Sequence, residues 1–301
     1  MAGYSSLRFW FDKVRKELIS EYVESEANKI AQILFEDLLS ISKSTIATSP
    51  DLELGFPQIQ QIEEALKRLL QNEPIQYVTG ISEFAGRQFQ VNKHVLIPRP
   101  ETEELLVWIL DDCKASSQNL NCIDIGTGSG IIPITLKIER PSWEMSAIDI
   151  SEEALEVAKA NAIKHHTDIY FIKDDILFPK KEYNAYDIII SNPPYVTDAD
   201  KALMQKNVLD FEPHTALFVT DGDSLQFYKA IIKFAQKHLK NSGIIYCEIH
   251  EDYAEQTKGL YEKYYSHVEL KKDIHGKCRM IKAFKPSKND IVEERINPNG
   301  T

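Results

Sequence analysis

Asp124-Ile125-Gly126-Thr127-Gly128-Ser129-Gly130 closes the apolar stretch Asn121 to Ile125 and opens a helical pattern that runs from about Ser129 to Glu139. Small residues between a buried strand and a helix put a glycine loop at the carboxyl edge of a sheet, where ligands bind in doubly wound folds. Glycine lets the backbone pass close against such a ligand. A dinucleotide-binding loop needs a third glycine three positions after the second, and Ile131 stands there, so the pyrophosphate fingerprint fails. No Gly-Lys-Ser/Thr follows either, which excludes a phosphate-binding loop.

Working outward, strands and helices alternate. Strands are expected at Glu144 to Ile150, Ile169 to Ile172, Asp187 to Ser191 and Gly243 to Glu248, with helices at Ser151 to His165, from about Ser224 to Lys240 and from about Tyr253. A last hairpin runs through Val268 to Leu270 and Met280 to Phe284. Such alternation implies an α/β fold, a mostly parallel sheet with helices on both faces. Asp149 closes the strand after the glycine loop, where a carboxylate can accept both hydroxyl protons of a ribose. A nucleoside ligand without phosphate suits this pattern, and the spacing suits a methyltransferase whose methylsulfonium cofactor, S-adenosylmethionine, carries no phosphate. Gly126, Thr127, Gly128, Ser129, Gly130 and Asp149 are therefore the expected cofactor residues. Asp175 is expected to face the adenine and Ile176 to touch its ring, although either Asp175 or Asp174 can instead cap a turn.

Asn192-Pro193-Pro194-Tyr195 follows the buried strand Asp187 to Ser191 at the same sheet edge. Two prolines stiffen the backbone and remove two donors, leaving carbonyl oxygens as acceptors. An NH2 group conjugated to a carbonyl or ring can give one proton to the Asn192 side-chain oxygen and one to the Pro193 carbonyl. Its delocalised lone pair makes it a poor nucleophile, and hydrogen bonds that orient it toward a methyl donor address that weakness. Tyr195 would stack on the planar group and exclude water. Asn192, Pro193 and Tyr195 are the expected catalytic residues, Pro194 completes the acceptor pocket, and Asn192 also reaches the cofactor.

The net charge of -11 over 301 residues argues against a uniformly basic, nucleic-acid-gripping surface. Cys113, Cys122, Cys247 and Cys278 form no Cys-x-x-Cys pair and read as reduced core or near-core thiols. The histidines show no metal-ligand spacing, so no metal is expected. No signal-type stretch and no run of about 18 apolar residues occurs, which points to a cytoplasmic protein without membrane contact. Apolar residues at three- and four-residue spacings from Leu7 to about Gln71 predict a small helical bundle, with Pro57 opening its last helix. Gly80, Gly86 and the alternation from Phe84 to Ile97 predict a hairpin connector.

Asn-Pro-Pro-Tyr also occurs among adenine-N6 DNA and guanine-N2 RNA methyltransferases, so the tetrapeptide leaves a nucleic-acid amino group open as the acceptor. Further segments are more specific: Pro74-Ile75-Gln76-Tyr77-Val78-Thr79-Gly80, Glu83-Phe84-Ala85-Gly86, Val95-Leu96-Ile97-Pro98-Arg99-Pro100-Glu101-Thr102-Glu103 and Phe211-Glu212-Pro213 before Ala216-Leu217. Together with the glycine loop and Asn192 to Tyr195 they closely resemble the PrmC/HemK family, from about Leu7 to Phe284. The resemblance implies a class I S-adenosylmethionine-dependent methyltransferase, Rossmann-like with a mostly parallel seven-stranded sheet. It also implies that the acceptor is the side-chain amide nitrogen of the glutamine in the Gly-Gly-Gln loop of class-1 peptide release factors. Residues 1–75 would then be a release-factor-binding bundle, 76–98 the connector, 99–285 the methyltransferase domain and 286–301 a mobile tail. Arg99, Glu101 and Thr102 line the cofactor's methionine end or cap the following helix. The chain departs from the family at Val219-Thr220, where Gly-Gly is usual, and at His250, where Glu-Ile-Gly is common.

Overall fold

The apolar spacing before Gln71 becomes helix in the computed structural model, which describes residues 5–114, 118–197, 201, 204, 206–219 and 223–286. The N-terminal stretch forms α1 (Leu7–Leu18), α2 (Glu24–Leu39), α3 (Lys43–Thr48) and α4 (Phe56–Leu69). Their starts have chemical causes. The Ser6 and Ser42 hydroxyls accept the Phe9 and Thr45 N–H groups at 3.3 and 3.2 Å, satisfying donors that a first turn leaves free. Pro57 sits in the first turn of α4, where its missing N–H costs no helical bond. Leu7, Val14 and Leu18 share one apolar core with Leu34, Phe35, Ile62 and Leu69. Each such fully buried side chain stabilises the fold by about 1.5–3 kcal/mol over exposure.

The connector differs from a plain hairpin. It begins with the short helix α5 (Ile75–Thr79), and only β1 (Ile81–Phe84) and β2 (Arg87–Gln90) pair. Arg68 explains the helix: its guanidinium donates to the Tyr77 and Val78 carbonyls at 3.0 and 3.2 Å, satisfying oxygens that five residues of helix cannot. Gly80, with φ 74°, then turns the chain. Val95 and Ile97 are buried without belonging to a strand.

Cα packing divides the chain into two units. One holds the helices up to Ser82 with Val91–Lys93 and Met204–Phe211; the other is built on the large sheet. In the second, α6 (Pro100–Asp112) precedes β3 (Asn121–Ile125), α7 (Ile131–Glu139), β4 (Glu144–Asp149), α8 (Glu152–Lys164), β5 (Ile169–Lys173) and β6 (Tyr186–Ser191). After α9 (Lys206–Phe211), which belongs to the first unit, the second resumes with α10 (His214–Leu217), α11 (Gln226–His238), β7 (Leu239–Glu248), α12 (Ala254–Tyr261), β8 (Tyr265–Lys272) and β9 (Cys278–Pro286). Among the described residues the sheet has seven strands in the order β5-β4-β3-β6-β7-β9-β8, with β9 alone antiparallel to its neighbours. Alternation of side chains across β3 feeds both faces: Cys122 joins the core containing Trp108, Ile134 and Ile190, while Ile123 and Ile125 join Ile189, Ile231 and Phe234.

β7 begins four residues before the expected Gly243, because an irregularity in its pairing with β6 absorbs the extra length. Lys285 and Pro286 end β9, Pro286 opposite Tyr265, so pairing continues one residue into the expected tail; residues 287–301 and Thr220 lie outside the described residues. Cys113, Cys122 and Cys247 are buried free thiols and Cys278 is half-buried. No described helix is long and apolar enough to cross a membrane.

Candidate active site

Parallel register decides what meets at the sheet edge. Ile125 lies opposite Ile148 on β4 and Ser191 on β6, and Ser191 lies opposite Cys247 on β7. The residues just beyond, Gly126, Asp149, Asn192 and Glu248, therefore emerge side by side. β3 is also where strand order reverses, between β4 and β6, so the crevice forms there. A cavity of about 310 Å³ occupies it.

The Gly126 and Thr127 N–H groups donate to the Ile148 carbonyl at 2.9 and 3.0 Å, pinning the loop to β4. Gly130, at φ 80°, faces α8: a Cβ there would come within 3.0 Å of Ile134 Cδ1 and 3.1 Å of Ala158 Cβ. Asp149 holds the loop with one carboxylate oxygen and the next helix with the other, accepting the Gly128 N–H at 2.8 Å and the Ser151 N–H at 3.0 Å. Each oxygen keeps a lone pair for a further donor. Burial raises the Asp149 pKa, and these N–H groups oppose the rise.

Gly126, Thr127, Gly128, Ser129, Asp149, Asp175, Ile176, Asn192, Pro193 and Pro194 all border the cavity. Gly130 and Tyr195 are not among its lining residues. Both aspartates after β5 border the cavity and both accept N–H groups of the turn that follows. Asp174 accepts the Tyr183 hydroxyl at 2.7 Å and the Lys180 and Lys181 N–H groups at 2.9 Å, and so shapes the turn. Asp175 accepts the Leu177 N–H at 2.9 Å and borders the cavity.

Asn192 donates from Nδ2 to the Thr102 hydroxyl oxygen at 3.2 Å, and Thr102 donates to Glu248 Oε2 at 2.7 Å. The Tyr195 phenol donates to Glu248 Oε1 at 3.2 Å while its ring meets the His250 imidazole edge-on, 5.5 Å between centroids. Burial pushes the Glu248 carboxyl up to about 7, with both hydroxyls and the Arg279 charge opposing the rise and Glu101 adding to it. Of the segment left open between cavity and helix cap, Arg99 and Thr102 line the cavity, and Glu101 sits in the first turn of α6, where the helix dipole favours its charge. Arg99 is held by Glu212 at 2.6 Å, a buried carboxylate that also accepts the Ile97 N–H at 3.4 Å.

Sequence reasoning missed three supports. Glu248 entered it only as the last residue of the expected strand Gly243 to Glu248, though a carboxylate closing that apolar run is itself a signal. Asn161 interrupts the buried face of α8 between Ala158 and Ala162; it donates to the Ser129 and Gln90 carbonyls at 2.9 Å and accepts the Gln90 N–H at 2.7 Å. Asp124 is fully buried, and the nearby Thr127 hydroxyl falls short of hydrogen-bond geometry with either of its oxygens; burial pushes its carboxyl up to about 7, the proximity of that hydroxyl opposing the rise and the Asp149 charge adding to it.

The sheet order, the glycine loop against β4 and the prolyl tetrapeptide beyond β6 define a class I, Rossmann-like methyltransferase. Residues 102–211 match the methyltransferase small domain model, and residues 10–80 match that of the PrmC N-terminal domain. A release factor glutamine methyltransferase of Flavobacterium psychrophilum is 44% identical over 88% of this chain and 94% of its own, and one of Bacteroides thetaiotaomicron is 39% identical over 90% and 97%. The chain belongs to the release factor glutamine methyltransferase family. Among solved structures, the hMettl16 catalytic domain in complex with MAT2A 3'UTR hairpin 1 is 16% identical, with a TM-score of 0.54 over 92% of both chains, a likeness of fold alone.

Proposed function

We propose that this chain moves the methyl group of S-adenosylmethionine to the side-chain amide nitrogen of the glutamine in the Gly-Gly-Gln loop of class-1 release factors, in the cytoplasm. The observation that carries this reading is the meeting of Asn192 and Pro193 with the glycine loop at one cavity, in a chain 44% identical to a release factor glutamine methyltransferase.

The residues present fit the cofactor. Asp124 is a buried carboxylate without a hydrogen bond, set behind the pocket-lining Ile125, Gly126 and Thr127 and not itself among the lining residues, and an ammonium group at that wall would supply the charge partner it lacks. Asp149 has lone pairs left for a ribose diol, and Ile150 and Ile176 offer apolar surface to a base beside Asp175. When bound, the sulfonium group supplies an electrophilic methyl. Asn192 Oδ1 and the Pro193 carbonyl take the two N–H protons of the acceptor amide, which orients its lone pair and draws electron density onto the nitrogen as positive charge develops. No strong base is required before transfer, because the product nitrogen sheds its proton readily once methylated. The helices matching the PrmC N-terminal domain would dock the release factor.

Purified chain, release factor and labelled cofactor should yield one methyl group on that glutamine, located by peptide mass spectrometry. Folded protein that binds cofactor yet leaves the glutamine unmethylated would refute the assignment.

A further inference from the structure

The hydrogen bonds behind Asn192 run in one direction. Building on the acceptor role given above to Asn192, we propose that Thr102 and Glu248 are positioning residues: through the Thr102 hydroxyl, the Glu248 carboxylate dictates which edge of the Asn192 amide faces the substrate.

An ionised carboxylate only accepts, so the single Thr102 hydroxyl proton is committed to Glu248 Oε2, 2.7 Å away. Thr102 then has nothing but lone pairs to present to Asn192 at 3.2 Å, and the atom facing it must be the amide NH2. Oδ1 is thereby turned to the other side, as an acceptor amide N–H requires. A flipped Asn192 would set two acceptors against each other at Thr102 and turn its own NH2 toward the substrate NH2.

The same acid holds the far end of the tetrapeptide, since Oε1 accepts the Tyr195 hydroxyl at 3.2 Å. Its main-chain oxygen accepts the Tyr228 hydroxyl at 3.1 Å, which ties the end of β7 to α11. Thr102 comes from α6, Asn192 and Tyr195 from the exit of β6, and Glu248 from β7, so three elements more than 50 residues apart in the chain converge on one relay. Both Thr102 and Glu248 are buried, which keeps water from substituting for either partner.

Thr102→Val keeps the shape and removes the hydroxyl; Thr102→Ser restores it. With the full chain, release factor and S-adenosylmethionine, Thr102→Val should lower kcat about 10- to 100-fold, the cost of a misplaced reacting group, with cofactor Kd within about twofold, and Thr102→Ser should recover most of the rate. In an Asn192→Ala background Thr102→Val should cost nothing further, because the two act as one unit. An unchanged kcat, or an equal loss in that background, overturns the proposal. Thr102→Ala serves the same comparisons where the valine variant does not fold. A second readout does not depend on the acceptor: the Asn192 side-chain 1H–15N pair, identified by its disappearance in Asn192→Ala, should shift and exchange faster in Thr102→Val and not in Thr102→Ser. Unaltered signals overturn the relay even if the substrate proves to be another amide, whereas a wild-type chain inactive on release factor refutes the function and leaves this spectrum to decide the relay.

Discussion

Replacing Asp124 by Asn should flatten the pH dependence of this protein's stability and weaken its hold on the cofactor. The Asp124 carboxyl is fully buried without a hydrogen-bond partner, and its pKa stands at about 7 rather than the ordinary 3.8. Between those values the folded chain keeps a proton that the unfolded chain has released, so stability falls as pH rises through this window and levels off above about 7. A gap of about three units at about 1.36 kcal/mol each makes about 4 kcal/mol in all, more than half of it falling between about pH 5 and about pH 8. Glu248 and Asp149 are raised in the same direction, so the wild-type curve carries all three groups. The difference between wild type and Asp124→Asn reports Asp124 together with its charge interaction with Asp149. Urea unfolding of cofactor-free protein across that pH range, with m-values compared, measures it. Parallel curves would refute the reasoning. Calorimetric titration with S-adenosylmethionine at about pH 8 supplies the other arm, where loss of the carboxylate should weaken binding by about tenfold, the value of one hydrogen bond to a charged group. Undiminished affinity would remove Asp124 from the cofactor's surroundings and leave the titration argument standing.

Gly130→Ala should lose about 1–3 kcal/mol, since its φ of 80° is strained for alanine and the new Cβ would press on Ile134 and Ala158; a melting temperature equal to wild type would contradict this. Asn161→Leu leaves the Gln90 N–H and the Gln90 and Ser129 carbonyls without their partner and should cost about 3 kcal/mol in urea unfolding, with weaker cofactor binding from a loosened glycine loop. Methyl transfer should rise with pH through about 7 as Glu248 ionises amid Thr102, Tyr195, Glu101 and Arg279, because its protonated form can donate to Thr102 and loosen the direction of Asn192. A kcat profile flat across that range in wild type, or the same limb retained in Glu248→Gln, would argue against it.

Much of this molecule can be read from local chemistry. Periodicity located the strand Asn121 to Ile125 with its observed bounds and most others within a residue or two, because burial on both faces makes a strand continuously apolar wherever it lies. β7 escaped by four residues, since a pairing irregularity with β6 belongs to two strands and is written in neither. α5 escaped because Arg68, outside the segment, supplies the bonds that let five residues stay helical.

For the site, glycines beside a strand end, a carboxylate closing the next strand and Asn192-Pro193-Pro194-Tyr195 carry their chemistry in residue type and spacing, so they were legible before any coordinates. What the sequence determined by itself is therefore the α/β class, the loop and tetrapeptide at strand ends, and the family those motifs resemble. Only the tertiary structure decided that Asp124 is buried without a partner, that Asn161 fastens the glycine loop, and that Thr102 and Glu248 stand behind Asn192. Those relations join residues dozens to more than a hundred positions apart. Hydrogen bonds act over about 3 Å, a scale on which distance along the chain carries no information until the sheet register has set the neighbours.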